Sequence, residues 1–324
     1  MVPVDETGRA ARPEIVGRLA PSPTGLLHLG HARTFLLAWW WSRSRQGRVL
    51  LRIEDLDGDR ASSAFVDAAC EDLAWLGLDW DGAPIVQSAG VSGMAHAVDR
   101  LLRSGLAYPC TCSRGDIRNA ASAPQAGVSE LRYPGTCRDR FRSLEEAERA
   151  TGRSPGVRLR VPDGTIRFED AVFGEQRFDV AREVGDFLIA RRNGAPAYQL
   201  AVVLDDAEQH VTEVVRGADL LPSTARQYLL QEALGLPHPT WAHVPLVLDA
   251  AGRRLAKRDD ALSLRELRAR RIDPRAIVAW AARSSGFEVA ERVTAAEVLP
   301  VFARSRVSRT PVTIGPETLA QLGP

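Results

Sequence analysis

Lysine is almost missing from this chain of 324 residues: among 42 Lys and Arg residues, Lys257 is the only lysine. Arginine supplies every other strong cation, a pattern that coding bias can produce. A solitary lysine in that background is either a chance survivor or marks a position that needs a compact ammonium in place of a planar guanidinium. Other scarcities narrow the class of protein. No apolar run approaches the roughly 20 residues that span a bilayer, so no membrane partner is expected. The first stretch, MVPVDETGRAARPE, has no apolar core; no secretion signal is visible and cytoplasmic residence is the expectation. Net charge is only +1, so composition alone announces no nucleic-acid partner.

Charge is nevertheless uneven. Residues 253–309 carry fourteen Lys or Arg against seven Asp or Glu. That excess suits contacts with RNA phosphates, and suits a solvated helical face equally well. Cysteine is scarce too, with four in all. Cys70 lies in the helical pattern SSAFVDAACEDLAWLGL and reads as a small buried hydrophobe. Cys110, Cys112 and Cys137 form a separate group, which in a cytosolic chain favours metal over disulfide.

Strand-like and helix-like segments alternate from residue 14. EIVGRLA reads as a buried strand, PSPTGLLHLG as a loop, and ARTFLLAWWWSRSR as a helix with Phe35, Leu36, Trp39 and Trp40 at core spacing. RVLLRIED reads as a second strand, with helices at about 61–76 and 91–104. This order predicts an α/β fold with a Rossmann-like, doubly wound parallel sheet. Residues 108–183 differ: they hold the three grouped cysteines, an Ala/Pro/Gly/Ser loop at 120–129, and the short strands GVRLRV, TIRFED and QRFDV. They read as an inserted subdomain. The parallel pattern resumes with DFLIARR, AYQLAVVLDD and VTEVVRG, a helix near 224–234 and the strand HVPLVLD. Beyond Lys257 the pattern is mostly helical. The expected division is a catalytic domain in two halves, 14–107 and 184–250, the insertion at 108–183, and a lysine loop with a helical C-terminal domain at 251–324.

Three stretches carry chemistry. In RLAPSPTGLLHLGH, residues 18–31, a strand ends, a Pro/Gly-rich loop turns, and HLGH opens a helix. Backbone N–H groups at a helix start, with His28 and His31 beside them, make a site for a nucleotide's phosphates. Gly30 has no Cβ and lets the chain approach a flat ring. Taken alone, H-x-G-H also arises in ordinary loops. In GRRLAKRDD, residues 252–260, Lys257 can reach a bound nucleotide and stabilise charge on a pyrophosphate leaving group; a surface turn would look the same. The CTC of Cys110 and Cys112, followed by YPGTC with Tyr133 and Cys137, offers three thiolates and a phenolate or water to one Zn²⁺. Simple core packing is the competing reading.

The pair HLGH and RLAKR resembles the paired motifs of class I aminoacyl-tRNA synthetases, in order, separation and flanking pattern. APSPTGLLHLGHART, LLRIEDLD, AYQLAVVLDD and VTEVVRGADLL are similar to the glutamate and glutamine branch. The likeness runs from about Arg18 to the helix after Lys257. It implies ATP with Mg²⁺ as a substrate, with His28, Gly30, His31 and Lys257 at the nucleotide and His28, His31 and Lys257 in catalysis. It also implies a glutamate site. Arg18 and Arg216 would meet the side-chain carboxylate, with a hydrogen bond from Tyr198; Glu54 would meet the α-ammonium, with Ser22 and Ala20 beside it. Read without that resemblance, Arg18 and Glu54 could equally pair across adjacent strands. CxC…YxxxC resembles the zinc-bearing, acceptor-binding subdomain of the glutamyl-queuosine enzymes, although the loop between its halves is longer here.

The chain has 67 residues after Lys257, enough for a helical segment like the stem-contact segment of these synthetases but not for a large anticodon-reading domain. That length, and Val202 where glutamyl-tRNA synthetases tend to carry a polar residue, resembles the glutamyl-queuosine branch. The implied activity is tRNA-independent activation of L-glutamate and its transfer to the queuosine base of tRNA(Asp), by a monomer. A minimal glutamyl-tRNA synthetase, and a silent RNA-binding or amino-acid-sensing paralogue, are the other readings. Lys257 and both histidines argue against the last.

Overall fold

The first strand, β1 (Val16–Leu19), is buried along its whole length, as a strand covered on both faces must be. It belongs to a computed structural model that describes residues 14–56, 61–120, 132–255 and 262–323. Helix α1 (Leu29–Arg43) follows the proline-rich loop. It starts at His28, whose extended backbone leaves the helix and whose ring accepts the Gly30 N–H. The α1 helix is apolar nearly all round, with Trp40 and Trp41 fully buried, so it is a core helix. Phe35, Leu36, Trp39 and Trp40 are buried as expected. The indole N–H of Trp39 donates to Asp79 Oδ1 (2.8 Å) and that of Trp40 to the Ala295 carbonyl (2.9 Å). A Cβ on Gly17 would stand 2.1 Å from Ser42 Oγ, so the close seat of α1 on β1 requires glycine there.

Strand β2 (Arg48–Ile53) runs parallel to β1, with Val16 opposite Arg48 and Leu19 opposite Leu51. Helix α2 (Ser63–Trp75) is capped by Ser62, and strand β3 (Ile85–Val86) extends the parallel sheet before α3 (Val91–Arg103). Then come β4 (Ala107–Cys110), α4 (Arg114–Ala120), α5 (Leu144–Thr151), β5 (Gly156–Leu159), β6 (Ile166–Asp170), β7 (Gly174–Phe178), α6 (Val180–Glu183) and β8 (Leu188–Ala190). The chain continues with α7 (Tyr198–Glu208), β9 (Glu213–Gly217), α8 (Leu221–Leu234), β10 (Thr240–Val244) and β11 (Val247–Leu248). It ends with α9 (Leu264–Ala269), α10 (Pro274–Ser284), α11 (Ala295–Val298), β12 (Val312–Thr313) and α12 (Pro316–Leu322).

The parallel sheet is built in two parts, β1-β2-β3 and β7-β6-β10-β9, in which β10 is parallel to both β9 and β6. They meet where Thr212, just before β9, donates its N–H to the Val16 carbonyl at 2.9 Å. This is the expected doubly wound α/β arrangement, whose ligand crevice opens at the carboxyl ends of the central strands.

Three local expectations are corrected. AYQLAVVLDD is not a strand but helix α7. Its residues Gln199–Val203, Asp205 and Asp206 are all buried, so the 3.6-residue alternation that marks a surface helix is absent. DFLIARR does not resume the parallel sheet, because β8 pairs antiparallel with β5 in the small sheet β4-β5-β8. TIRFED, expected within the insertion, contributes β6 to the main sheet, with β7 antiparallel at its edge.

Past residue 262 the described chain is mostly helical, as expected, and returns to the crevice through β12, which pairs with β11. The fully buried Arg33 ties α1 to this segment by donating to the Pro245 carbonyl (2.7 Å), Ser284 Oγ (3.1 Å) and the Ser284 carbonyl (3.2 Å). Among the described residues no helix is long and apolar enough to cross a membrane.

Candidate active site

A cavity of about 320 Å³ opens where β1, β2 and β9 end, with the loop after β10 as another wall. Arg18, Ala20, Ser22, His28, Gly30, His31, Glu54, Tyr198 and Arg216 all line it, so residues 198 positions apart in sequence share one wall. Those are all the positions expected at the glutamate or nucleotide that fall among the described residues. Lys257 lies outside them. The chain on either side of it reaches the site: Arg254 lines the cavity, and Ser263 forms a β-bridge with His28.

The two histidines form one unit. His28 Nδ1 accepts the Gly30 N–H at 3.1 Å, and His31 Nδ1 accepts the His28 N–H at 3.2 Å. The rings stack with centroids 3.7 Å apart. In a neutral ring an accepting Nδ1 leaves the proton on Nε2, so these two bonds fix the tautomer of each imidazole at the positive end of α1. The need for glycine at 30 has a local cause: a Cβ there would stand 3.0 Å from His28 Cε1 and 3.1 Å from its Nδ1. Any side chain would push the capping imidazole aside.

Beneath them lies a charged floor that sequence reasoning found only in part. Arg18 does not pair with Glu54. Its Nε donates to Asp206 Oδ1 and its Nη1 to the Val215 carbonyl, both at 3.3 Å. Glu54 is held by its neighbour Arg52, whose Nη2 is 3.1 Å from Glu54 Oε1. Arg52 is fully buried and also donates to Asp206 Oδ1 (2.7 Å) and Gln209 Oε1 (3.0 Å). Burial opposes its charge, but Asp206, Glu54 and Asp205 outweigh that and hold its proton more tightly than usual. Burial likewise works against Asp206, and Arg52 and Arg18 still bring its carboxyl below the ordinary range. Asp205 is pushed up to about 6 by burial. None of these four partners had a sequence signal: apart from Arg52 and Glu54, which are two residues apart, the groups that meet here are distant in the chain.

Arg216 is in a different state. It is buried, its Nε donates to His243 Nε2 (3.0 Å) and its Nη2 to Thr224 Oγ1 (2.7 Å), and both acceptors are neutral. Its Nη1 is buried with no hydrogen-bond partner. Burial lowers its pKa, the signature of a cation that lacks a direct counter-ion. Besides the Arg254–Asp219 pair, the cavity thus contains one neutralised guanidinium, one carboxylate and one guanidinium with a nitrogen to spare.

About the small sheet, Cys110, Cys112 and Cys137 bring their sulfurs within 4.8 Å of one another. Cys112 Sγ and Cys137 Sγ are 3.5 Å apart, close to the roughly 3.8 Å that bonds of about 2.3 Å to a tetrahedral zinc would give. The Tyr133 hydroxyl lies 3.4 Å from Cys110 Sγ and 3.7 Å from Cys112 Sγ, and accepts the Cys137 N–H at 2.8 Å. Arg158, which no motif pointed to, donates to Cys110 Sγ at 3.3 Å and sits 3.8 Å over the Tyr133 ring. A cation beside sulfur ligands offsets the negative charge that several thiolates would bring, so the donor set fits zinc.

A crevice at the carboxyl ends of parallel strands, capped by an imidazole pair, defines a nucleotide-using α/β enzyme, and the comparisons with known proteins agree. Residues 14–314 match the family described as tRNA synthetases class I (E and Q), catalytic domain. The Glutamyl-Q tRNA(Asp) synthetase of Symbiobacterium thermophilum is 45% identical over 318 residues, 95% of this chain and 98% of that protein. The protein of the same name from Nitratidesulfovibrio vulgaris is 49% identical over 264 residues, 78% of this chain and 81% of that one. Among solved structures, a glutamate tRNA ligase from Elizabethkingia meningosepticum in complex with its amino acid superposes with a TM-score of 0.81. It is 26% identical, and the match covers 95% of this chain and 68% of that one. The chain belongs to the class I tRNA synthetases of the glutamate and glutamine type, within the glutamyl-Q tRNA(Asp) synthetase family. It is a ligase of that class.

The charged floor makes a stability prediction. Arg52→Met leaves Glu54 and Asp205 without a buried cation, and an unpaired buried charge costs about 3–5 kcal/mol. The urea midpoint should fall accordingly. A loss below about 1 kcal/mol would show that water already solvates these carboxylates.

Proposed function

We propose that the cavity binds L-glutamate and the magnesium complex of ATP, joins them as glutamyl-adenylate without tRNA, and transfers the glutamyl group to the queuosine base in the anticodon loop of tRNA(Asp). The observation that carries the glutamate reading is Arg216, a buried cation on the cavity wall with Nη1 unpartnered. A carboxylate is the ligand that relieves it. Arg216 and Arg18 meet the substrate's side-chain carboxylate, with Tyr198 donating a hydrogen bond. Glu54 meets the α-ammonium, and Ala20 and Ser22 shape that end of the pocket.

His28, Gly30 and His31 sit at the nucleotide, with both Nε2–H donors turned to phosphate. Lys257 is three residues from Arg254 on the cavity wall, a reach of at most about 11 Å. Its ammonium stabilises the departing pyrophosphate. An oxygen of the substrate's α-carboxylate attacks the α-phosphorus and pyrophosphate leaves. A hydroxyl of the queuosine cyclopentene diol then attacks the activated carbonyl and loses its proton, an ester forms, and AMP leaves with the electron pair of the broken acyl–phosphate anhydride bond.

The names of the relatives matched over nearly their whole length support the queuosine acceptor. Residues 14–107 and 184–250 form the catalytic domain in this reading. Residues 108–183, apart from β6 and β7 of the main sheet, form the acceptor-side insertion, in which Cys110, Cys112, Cys137 and Tyr133 hold one Zn²⁺ as a structural clamp. Residues 251–324 add the lysine loop and a basic helical surface for the RNA stem. In this reading one chain suffices for the reaction, and the protein acts as a monomer. Both ATP and tRNA are cytoplasmic substrates, so the protein works in the cytoplasm.

Three measurements test this reading. Lys257→Ala should lower glutamate-dependent pyrophosphate exchange at least about a hundredfold, with folding unchanged; wild-type exchange would refute the leaving-group role. Metal analysis of chelator-washed protein should find about one zinc per chain, and none would return the cysteines to core packing. Labelled glutamate should reach tRNA(Asp) containing queuosine, but not the same tRNA with guanine at the wobble position. Nuclease digestion should leave the label in the anticodon-loop fragment. Label on the 3′-terminal adenosine of tRNA(Glu) would instead make this a minimal glutamyl-tRNA synthetase.

A further inference from the structure

Behind Arg216, out of the cavity itself, lies an imidazole that neither half-reaction uses. His243, on β10, is fully buried, with Nδ1 2.6 Å from Asp170 Oδ2 at the end of β6. Its Nε2 faces Arg216 Nε at 3.0 Å and Thr224 Oγ1 at 3.2 Å. Asp170 Oδ1 also accepts the N–H groups of Val172 (3.0 Å) and Phe173 (2.9 Å), and Oδ2 accepts that of His243 (3.0 Å). The carboxylate is thereby pinned from several sides.

Each hydrogen bond in this chain has one possible direction. A carboxylate surrounded by donors accepts, so His243 Nδ1 carries the proton. A guanidinium only donates, so His243 Nε2 presents its lone pair to Arg216. Burial pushes the imidazole down to about 4, which keeps it neutral near neutral pH.

We propose that Asp170 and His243 are positioning residues for substrate choice: they hold the Arg216 guanidinium at the cavity without neutralising it, so that it favours a carboxylate over a carboxamide. The proposal rests on reading the cavity as a glutamate site. A carboxylate placed directly on Arg216 would orient it equally well but would already occupy its charge, leaving the substrate's carboxylate little to gain. An imidazole in between supplies orientation from a neutral acceptor and keeps Asp170 one ring away. Thr224, the other acceptor, is neutral too. The contrast with Arg18, which bonds a carboxylate directly, assigns the two arginines different work. Arg18 shapes the pocket as half of an ion pair. Arg216 selects.

Two substitutions separate positioning from packing. The side-chain oxygen of His243→Gln can occupy the place of Nε2 and accept from Arg216, whereas His243→Leu cannot. In pyrophosphate exchange, His243→Leu should raise the KM for glutamate about tenfold or more while the KM for ATP stays within about twofold. It should also narrow the preference for glutamate over glutamine in kcat/KM. His243→Gln should recover the glutamate KM to within about threefold of the parent. Equal losses in both variants, or an unchanged glutamate KM in His243→Leu, would overturn the proposal. Should His243→Leu fail to fold, the ring nitrogens decide. The ¹⁵N shifts of His243 in the labelled parent protein should show a protonated Nδ1 and a bare Nε2 at neutral pH, and a doubly protonated or reversed ring overturns the relay. A parent protein inert towards glutamate would sink the glutamate reading itself, a result distinct from a failed relay.

Discussion

Arg52 is the interaction on which the site's geometry depends. One fully buried guanidinium at the end of β2 reaches Glu54 beside it, Asp206 on α7 and Gln209 just past the end of that helix. Asp206 in turn holds Arg18 on β1. Two strands and the helix whose first residue is Tyr198 are therefore locked by one set of charge-assisted bonds. Three buried carboxylates would be expensive without a central cation, and a buried cation expensive without them. The arrangement persists because every member is partnered by another, and it leaves Glu54 on the cavity wall as its one outward acid.

Against that locked background, unequal pairing of the two arginines gives the cavity its selectivity. Arg18 is neutralised within the fold, while Arg216 is oriented by neutral acceptors and keeps a buried Nη1 in reserve. A site with two satisfied cations would bind a carboxylate and a carboxamide about equally. One with two unsatisfied cations would cost the fold more than its packing could offset. The structure takes the middle course, with the unsatisfied charge at the single point where substrate completes it.

What could be read in the sequence follows from how function is spaced along it. HLGH was legible because a helix cap and the nucleotide site share four consecutive residues, and the cysteine group because CxC puts two thiols one residue apart. Arg18, Glu54, Tyr198 and Arg216 were reached through resemblance, and the cavity collects all of them. Their supports were not legible. Asp206 meets Arg18 across 188 positions, His243 meets Asp170 across 73, and Arg158 meets Cys110 across 48. No periodicity connects such pairs. The helix α7 was hidden for a related reason: buried on most of its surface, it lost the polar face that would have announced its period. Gly30 was recognised as special for its approach to a ligand, whereas its nearest constraint is the His28 ring beside it.

The C-terminal segment completes this logic. Its first described residues pair with the nucleotide loop, through the bridge of Ser263 to His28 and the bond from Leu264 N–H to the Leu27 carbonyl at 2.8 Å. At the other end of the lysine stretch, Arg254 reaches Asp219 on the cavity wall at 2.5 Å. Two ends a few residues apart in the chain keep the stretch between them within reach of the cavity, as the role proposed for Lys257 needs. Arg33 secures the same segment from below, joining α1 to the start of the turn after α10. The helix that begins with the two imidazoles and the described chain on the C-terminal side of the lysine stretch are thus anchored to each other. Motion of α1 relative to the described chain that flanks residues 256–261 would break these bonds, so the two anchors and the charged floor form one frame.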